Sequence, residues 1–178
     1  MNKSLLAASL GFLFTAIGTS ANASVILFEG KITADTCPIV ISPPSGAIGS
    51  AVDMGELPAS AFKASGEEYN QRRFELVVED GAVCGFNNNK ATVTFDGNAD
   101  ASGNYFAVTP TADGAKNVAI VLRDRTGSSV APGSASAEYD LKDTGESRMA
   151  FDATYRATNV PVLPGAASAN IRFTVNII

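Results

Sequence analysis

Hydrophobic and polar residues alternate in short runs along most of this chain. The first run, residues 24–37, reads SVILFEGKITADTC. It places Glu29, Lys31, Thr33 and Asp35 on one side and, on the other, Ile26, Phe28, Gly30, Ile32 and Ala34. A period of two residues predicts a half-buried β-strand. No turn directly after this run leads into a partner strand, so we expect its partner to lie on another molecule.

The last run, ANIRFTVNII at residues 169–178, shows the same alternation. Its apolar positions are Ile171, Phe173, Val175 and Ile177. The simplest interpretation is the final strand of a sheet. A sheet edge with such residues is prone to aggregation unless another strand pairs with it. One end of the chain thus contains a strand without a partner, and the other end contains an uncovered sheet edge. Together they suggest that each copy completes the next by strand addition.

The middle of the chain consists of short strand-like runs separated by Gly, Ser, Asp and Pro clusters. Residues 72–80 and 90–97 alternate clearly, residues 51–58 predict a short strand, and residues 59–71 are the best candidate for a helical turn. Short strands at fairly regular spacing predict an all-β, immunoglobulin-like sandwich that forms a single domain. The residues expected to face its core include Phe74, Leu76, Val78, Ala91, Val93 and Phe95.

The first 23 residues have the features of a secretory signal peptide. Lys3 supplies the positive charge, residues 5–18 form a short apolar segment, and Ala21 to Ala23 match the small-residue cleavage pattern. The apolar segment is too short to cross a bilayer. We therefore expect an exported protein that begins at Ser24 and is not inserted in a membrane.

Charge and composition exclude several classes of function. The net charge is −5 and no basic run is present, so nucleic acid and anionic membranes are poor candidates for partners. The chain contains no histidine, which eliminates Ser-His-Asp and Cys-His catalysis and His-ligated zinc or copper. We expect no cofactor and no metal.

The two cysteines, Cys37 and Cys84, both lie in the expected mature chain. In an oxidising compartment, a pair of cysteines in a small domain predicts a single disulfide. Because they do not form a C-x-x-C motif, catalytic thiol chemistry is not expected.

Two acidic features are candidates for sites of chemistry. Asp96, Asn98 and Asp100 have the alternate spacing of a calcium loop, but Ala101 and Ala107 stand where such a loop has glycine and glutamate. A polar hairpin loop is the better interpretation. A secreted β-sandwich hydrolase without histidine would need two converging carboxylates, and no pair in the sequence predicts such convergence.

Several segments together resemble the fimbrial subunits of the chaperone–usher pathway, the type-1-pilus-like family of Gram-negative bacteria. They are FEGKITADTC at 28–37, VDMGELPASAF at 52–62, FELVVEDGAVC at 74–84, ATVTFDG at 91–97, KNVAIVLRDRTG at 116–127, FDATYRAT at 151–158 and VLPGAASANIRFTVNII at 162–178. Their order and spacing match that family over essentially the whole mature chain.

The resemblance implies an incomplete immunoglobulin-like β-sandwich that lacks its final strand and is completed by donor-strand exchange. In such a subunit a periplasmic chaperone first fills the open groove with one of its own strands. At the outer-membrane usher, the N-terminal extension of the neighbouring subunit replaces that strand. Applied to this chain, the division is a signal peptide at 1–23, a donor extension at 24–36 and a pilin domain at 37–178.

The resemblance also implies roles for individual residues. The residues that insert into the neighbouring subunit would be Ile26, Phe28, Gly30, Ile32 and Ala34, with Gly30 where the donor backbone approaches a crowded groove. The groove-bordering and chaperone-binding strand would contain Ile171, Phe173, Val175, Ile177 and, with the terminal carboxylate, Ile178. The family usually has Tyr at the next-to-last position, where this chain has Ile177.

The predicted function is that of a structural subunit of a surface fimbria, which is not an enzyme and supports cell adhesion. Its expected partners are a periplasmic chaperone, an outer-membrane usher and neighbouring pilus subunits, and its expected route runs through the periplasm to the cell surface. The alternative is a minor adaptor or a single-domain tip adhesin that binds a host glycan or protein. A secreted hydrolase is the third class.

Overall fold

The computed structural model describes residues 25–30 (their strand and its pairing), 37–42 and 51–178. The predicted signal peptide, its cleavage site and the donor residues Ile32 and Ala34 lie outside the described residues.

The described residues contain ten strands. They are β1 (Val25–Gly30), β2 (Ile39–Ser42), β3 (Ala51–Asp53), β4 (Glu68–Val78), β5 (Lys90–Asp96), β6 (Phe106–Ala107), β7 (Val118–Arg123), β8 (Tyr139–Asp140), β9 (Ser147–Ala157) and β10 (Asn170–Ile177). The first sheet has the order β3-β1-β10-β5-β8 and the second sheet the order β2-β4-β9-β7-β6. Two sheets packed in this way confirm the predicted all-β sandwich.

The core lies between the two sheets and is centred on three phenylalanines. The Phe74 and Phe151 rings stack with centroids 5.6 Å apart, and Phe95 from the first sheet meets Phe151 edge-on at 4.9 Å. In β5 every second residue is buried, with Ala91, Val93 and Phe95 fully enclosed. The inward-facing residues predicted for the two central runs are therefore confirmed, because alternation along a half-buried strand follows from its pleat.

The predicted helical turn at 59–71 is wrong for most of its length. Only Ala59–Ala61 form a single 3₁₀ turn, and β4 already begins at Glu68. β4 pairs with β9 along almost its whole length, with a β-bulge between Tyr69 and Arg72. Backbone pairing with a long neighbour outweighs the weak helical preference of this segment.

One short helix was not predicted. Helix α1 (Gly81–Cys84) begins where the Asp80 carboxylate accepts a hydrogen bond from the backbone N–H of Ala82 at 3.0 Å. It ends at Gly85, which has the left-handed conformation (φ 67°). An aspartate cap and a glycine terminator are the signals that identify it in the sequence.

The first strand pairs within its own chain, which corrects the expectation that its partner lies on another molecule. β1 lies between β3 and β10, antiparallel to β3 and parallel to β10. The physical reason is proximity: a strand joined to the domain by a short connection is always available to the open edge. The closing strand of an immunoglobulin-like domain belongs to antiparallel sheets, so β1 occupies the missing strand's position in the opposite direction.

Candidate functional site: the β10 edge and the adjoining cavity

The β10 edge, defined as the side of β10 that faces β1, is where the predicted donor and acceptor residues meet. Phe28 lies opposite Ile171 and Gly30 opposite Phe173 in the parallel ladder, while Ile26 lies opposite Val52 of β3. Ile171 and Phe173 are buried, as is Val52. Three of the five predicted donor positions are thus in register with buried residues of the core.

Burial decreases along β10 toward its end. Ile171 and Phe173 are enclosed and Val175 is half-buried, but Ile177 is 46% exposed and Ile178 is 59% exposed. Among the described residues, the ladder with β1 stops at Phe173, whereas the ladder with β5 continues to Ile177. The first half of the predicted groove-bordering strand is therefore covered on both sides, and the described neighbour of the second half is β5 alone.

The last residue is held in place by β5. The Ile178 N–H donates to the carbonyl of Lys90 at 2.8 Å, and the Lys90 N–H donates back to the Ile178 carbonyl at 2.9 Å. The Lys90 ammonium contacts the Glu138 carboxylate at 2.9 Å, and this hydrogen bond raises the pKa of Lys90. The predicted carboxylate position at Ile178 is thus fixed in space, beside two exposed apolar side chains.

The opposite end of β10 adjoins a cavity of about 600 Å³, which was not predicted. Its walls include residues 55–59 and Phe62, Ala115 and Val118, and residues 162–165 and Ala167. Phe62, Val118 and Val162 are buried in the core behind it. Such a cavity is formed by loops far apart in sequence, so no local pattern marks it.

Hydrogen bonds between two loops preform one wall of this cavity. The Ala115 N–H donates to the Ala166 carbonyl at 2.8 Å, and Lys116 and Leu163 exchange two backbone bonds at 3.1 and 3.2 Å. Gly165 has φ 157°, and a Cβ atom there would lie 2.3 Å from the carbonyl oxygen of Asp113. The loop between β9 and β10 is therefore fixed against the loop before β7.

The disulfide prediction is confirmed. Cys37 and Cys84 are bonded, with their Cα atoms 4.9 Å apart, and they join the start of β2 to α1. On the same helix Val83 is 70% exposed.

Backbone hydrogen bonds join three segments at this end of the sandwich: residues 81–90, residues 141–146 and Ile178. Examples are the bonds from Gly81 N–H to the Gly145 carbonyl and from Leu141 N–H to the Asn89 carbonyl. We call this the α1 end of the sandwich, and the other the cavity end.

The outer face of the second sheet contains an ion-pair cluster rather than a catalytic pair. Glu68 contacts both Arg123 and Arg156 at 2.8 Å, and the Arg156 guanidinium lies 4.9 Å from the centre of the Tyr105 ring. Burial raises the pKa of Glu68, but the hydrogen bonds from Arg123 and Arg156 outweigh that effect and hold it below its usual range. The cluster therefore stabilises the charged carboxylate at neutral pH.

The acidic loop weighed as a calcium site forms its own hydrogen bonds. The Asp100 carboxylate accepts from the Ser102 hydroxyl at 2.8 Å and from the Tyr105 N–H at 3.1 Å. In the described ranges, no group of three His, Cys, Asp or Glu side chains is placed to hold a metal ion.

Within the same ranges, no helix has the length and apolar character that a membrane crossing requires.

A family model for fimbrial proteins matches residues 26–177, from the second residue of β1 to the last residue of β10. The chain belongs to the fimbrial protein family. This fimbrial chain is 28% identical over 172 residues to the probable major fimbrial subunit LpfA of Escherichia coli O157:H7, with 96% of this chain and 91% of the relative covered. It is 30% identical over 155 residues to the fimbrial subunit type 1 of Salmonella typhimurium, with 83% and 79% covered.

Solved structures show the same relationship. An antigen and type I fimbria protein of Burkholderia pseudomallei is 31% identical, with 86% of this chain and 93% of that chain covered and a TM-score of 0.53. The P pilus rod subunit PapA, at 21% identity, shares the fold with a TM-score of 0.57 over 79% and 99% of the two chains. The predictions of family, fold class and structural fimbrial role are confirmed.

Proposed function

We propose that this fimbrial subunit assembles by donor-strand exchange. The extension at residues 24–36 of one copy pairs with the β10 edge of a neighbouring copy and displaces the neighbour's own β1. The observation that supports this proposal most directly is the register of β1. Ile26, Phe28 and Gly30 lie opposite three buried residues, so this edge accepts a strand of this sequence.

The direction of β1 gives a physical reason for exchange. Six residues join Gly30 to Cys37, which the disulfide holds at the α1 end, where β10 also ends. This short connection favours a β1 that runs toward the α1 end, parallel to β10. A strand donated by another molecule has no such connection and can run antiparallel. Antiparallel ladders are slightly more stable per residue than parallel ones. A reversed strand would exchange a parallel ladder of four residue pairs with β10 for an antiparallel one, and an antiparallel ladder of three pairs with β3 for a parallel one, so the longer ladder favours the donated strand.

A chaperone and an usher complete the proposed route. Before assembly, a periplasmic chaperone supplies a strand to the same edge and binds the Ile178 carboxylate. At the outer-membrane usher, a neighbouring subunit takes the chaperone's place. The exposed apolar side chains of Ile177 and Ile178 support this proposal, because they offer an apolar contact beside the carboxylate. Residues 1–23 act as the signal peptide and residues 37–178 as the pilin domain.

We place the assembled protein at the cell surface, in a fimbria that supports adhesion, without enzymatic activity of its own. The acidic groups described above support the last point. Glu68 and Asp100 are each engaged in local hydrogen bonds and ion pairs, as expected for structural rather than catalytic carboxylates.

A fusion of residues 24–36 to the C-terminus through a flexible linker tests the exchange. We expect the fused chain to remain monomeric and to melt at a higher temperature, because a donor strand in the favoured direction fills its edge. The unfused mature chain is expected to form oligomers at high concentration. The matched control contains the same fusion with Phe28→Asp in the appended copy, which should restore oligomer formation. An unfused chain that is equally stable and strictly monomeric would contradict the proposal.

A further inference from the structure

We propose that helix α1 of one subunit docks on the mouth of the cavity of the next copy, so that a joint consists of a body-to-body contact in addition to the donated strand. The mouth is defined as the exposed cavity residues Pro58, Leu163 and Pro164. The partner is a second copy of this chain. The inference rests on the proposed donor-strand exchange and adds a specific docking surface to it.

The connection between the donated strand and the body of the donor subunit is short. When Ile32 and Ala34 of the donor lie at the acceptor's edge, Asp35 and Thr36 are the sole residues between the donated strand and Cys37. Three Cα steps span at most about 11 Å. Because Cys37 is bonded to Cys84 with a Cα separation of 4.9 Å, α1 of the donor must lie close to the point where the donated strand leaves the acceptor.

The donated strand leaves the acceptor at the cavity end of the sandwich. A donor strand antiparallel to β10 ends beside the start of β10, near Asn170. Residues 162–165 and Ala167, which lie just before it, form a wall of the cavity. The donor's α1 end therefore meets the acceptor's cavity end, and repetition of this head-to-tail contact produces an open filament rather than a closed ring or dimer.

Both surfaces that meet in this contact expose an apolar side chain. Val83 of α1 is 70% exposed, and at the mouth Leu163 is 42% exposed. Single exposed apolar residues need no special explanation on a soluble protein. Here, however, the short connection brings α1 to the mouth, where contact between Val83 and Leu163 removes apolar surface from water.

Both surfaces are held rigidly before they meet. Asp80 accepts from the N–H groups of Ala82 and Gly145, which fastens α1 to the loop before β9. On the acceptor, the bonds between Lys116 and Leu163 fix the loop that carries the mouth. Preformed surfaces lose little conformational freedom on association, so a small apolar contact can contribute measurably to the joint.

Opposite charges placed on the two surfaces test the contact. Val83→Lys and Leu163→Glu are each expected to slow oligomer formation by the purified mature chain about tenfold, as followed by light scattering. The chain with both substitutions should recover most of the rate, because every joint then pairs Lys with Glu. Ala135→Lys, at an exposed site beside the middle of β5, is the control and should leave the rate unchanged. Melting temperatures of all variants verify that they are folded.

A synthetic peptide of residues 24–36 separates this inference from the exchange itself. The peptide contains a donor strand but no α1, so it should bind the unchanged chain and all variants equally. Equal peptide binding together with unchanged oligomer formation in both single variants would overturn the α1 contact alone. Absence of recovery in the double variant would also overturn it. A peptide that does not bind even the unchanged chain would overturn the donor-strand exchange and, with it, the contact.

Discussion

Phe28 of the first strand lies directly opposite Ile171 of the last strand, in a ladder whose two strands run in the same direction. This pair joins residues 143 positions apart in the sequence and closes the sandwich with the chain's own N-terminal segment. The parallel direction distinguishes the closure from that of a complete immunoglobulin-like domain, whose sheets are antiparallel. The single chain therefore covers the first half of its β10 edge with a parallel strand.

Phe28→Asp should weaken both the closed monomer and the fibre. A charge at the position opposite buried Ile171 is expected to lower the free energy of unfolding by about 2–3 kcal/mol and to abolish oligomer formation. The matched control is Leu27→Asp, because Leu27 lies opposite Asn170, which is exposed. Urea unfolding and light scattering measure the two effects. Equal losses in both variants would show that the register of β1 does not determine stability.

Removal of the disulfide should destabilise the α1 end. The double substitution Cys37→Ser and Cys84→Ser opens a loop whose ends are 47 positions apart, and the expected loss is about 2–4 kcal/mol in the free energy of unfolding. Urea unfolding with and without a reducing agent provides the measurement and its control, since the reduced native chain should match the double variant. A double variant as stable as the oxidised chain would contradict this role.

Glu68→Gln should change how stability depends on pH. Because the folded pKa of Glu68 is lowered from its ordinary value of 4.5, the charged carboxylate stabilises the fold above that value. That contribution, about 1 kcal/mol for a partly exposed cluster, is lost as the pH falls from 4.5 through the lowered folded pKa.

Urea unfolding between about pH 3 and about pH 7 should therefore show a smaller loss of stability on acidification in Glu68→Gln than in the unchanged chain. Glu56→Gln, at an exposed position, is the control and should follow the unchanged curve. Parallel curves for all three proteins would rule out the cluster as a source of pH dependence.

Gly81→Ala should be more damaging than Gly85→Ala at the other end of the same helix. A Cβ atom at Gly81 would lie 1.8 Å from the carbonyl oxygen of Lys142, so the backbone of α1 or its neighbour must move. We expect a loss of about 2–3 kcal/mol at Gly81. At Gly85, where no atom lies within 4 Å of the new Cβ, the left-handed backbone alone costs about 1 kcal/mol. Thermal unfolding distinguishes the two, and a reversed order would contradict the close approach of α1 to Lys142.

Alternation in the sequence predicted which residues face the core but not which strands become neighbours. In β5 and β10 the period of two correctly assigned Val93, Phe95, Ile171 and Phe173 to the interior, because the pleat alone sets that pattern. The same pattern in β1 predicts a strand but contains no information on its partner. The pairing of β1 depends instead on an open edge and a short connection, which are properties of the whole fold.

Sequence periodicity could predict neither the cavity nor α1, for two different reasons. The cavity wall depends on bonds between Ala115 and Ala166 and between Lys116 and Leu163, which unite loops that no local signal relates. Helix α1 is too short to show a helical period, although Asp80 and Gly85 mark its two ends. The predicted roles of all donor and groove residues remain predictions, namely those of Ile26, Phe28, Gly30, Ile32, Ala34, Ile171, Phe173, Val175, Ile177 and Ile178.

Under the proposed strand exchange, the edge beside β10 makes protein concentration a control on the state of this subunit. A strand attached to its own domain acts at a fixed local concentration, whereas a strand from a neighbour acts at the concentration of the bulk solution. Dilution therefore preserves self-closed single chains, and crowding of many copies in a small volume shifts the balance toward filaments.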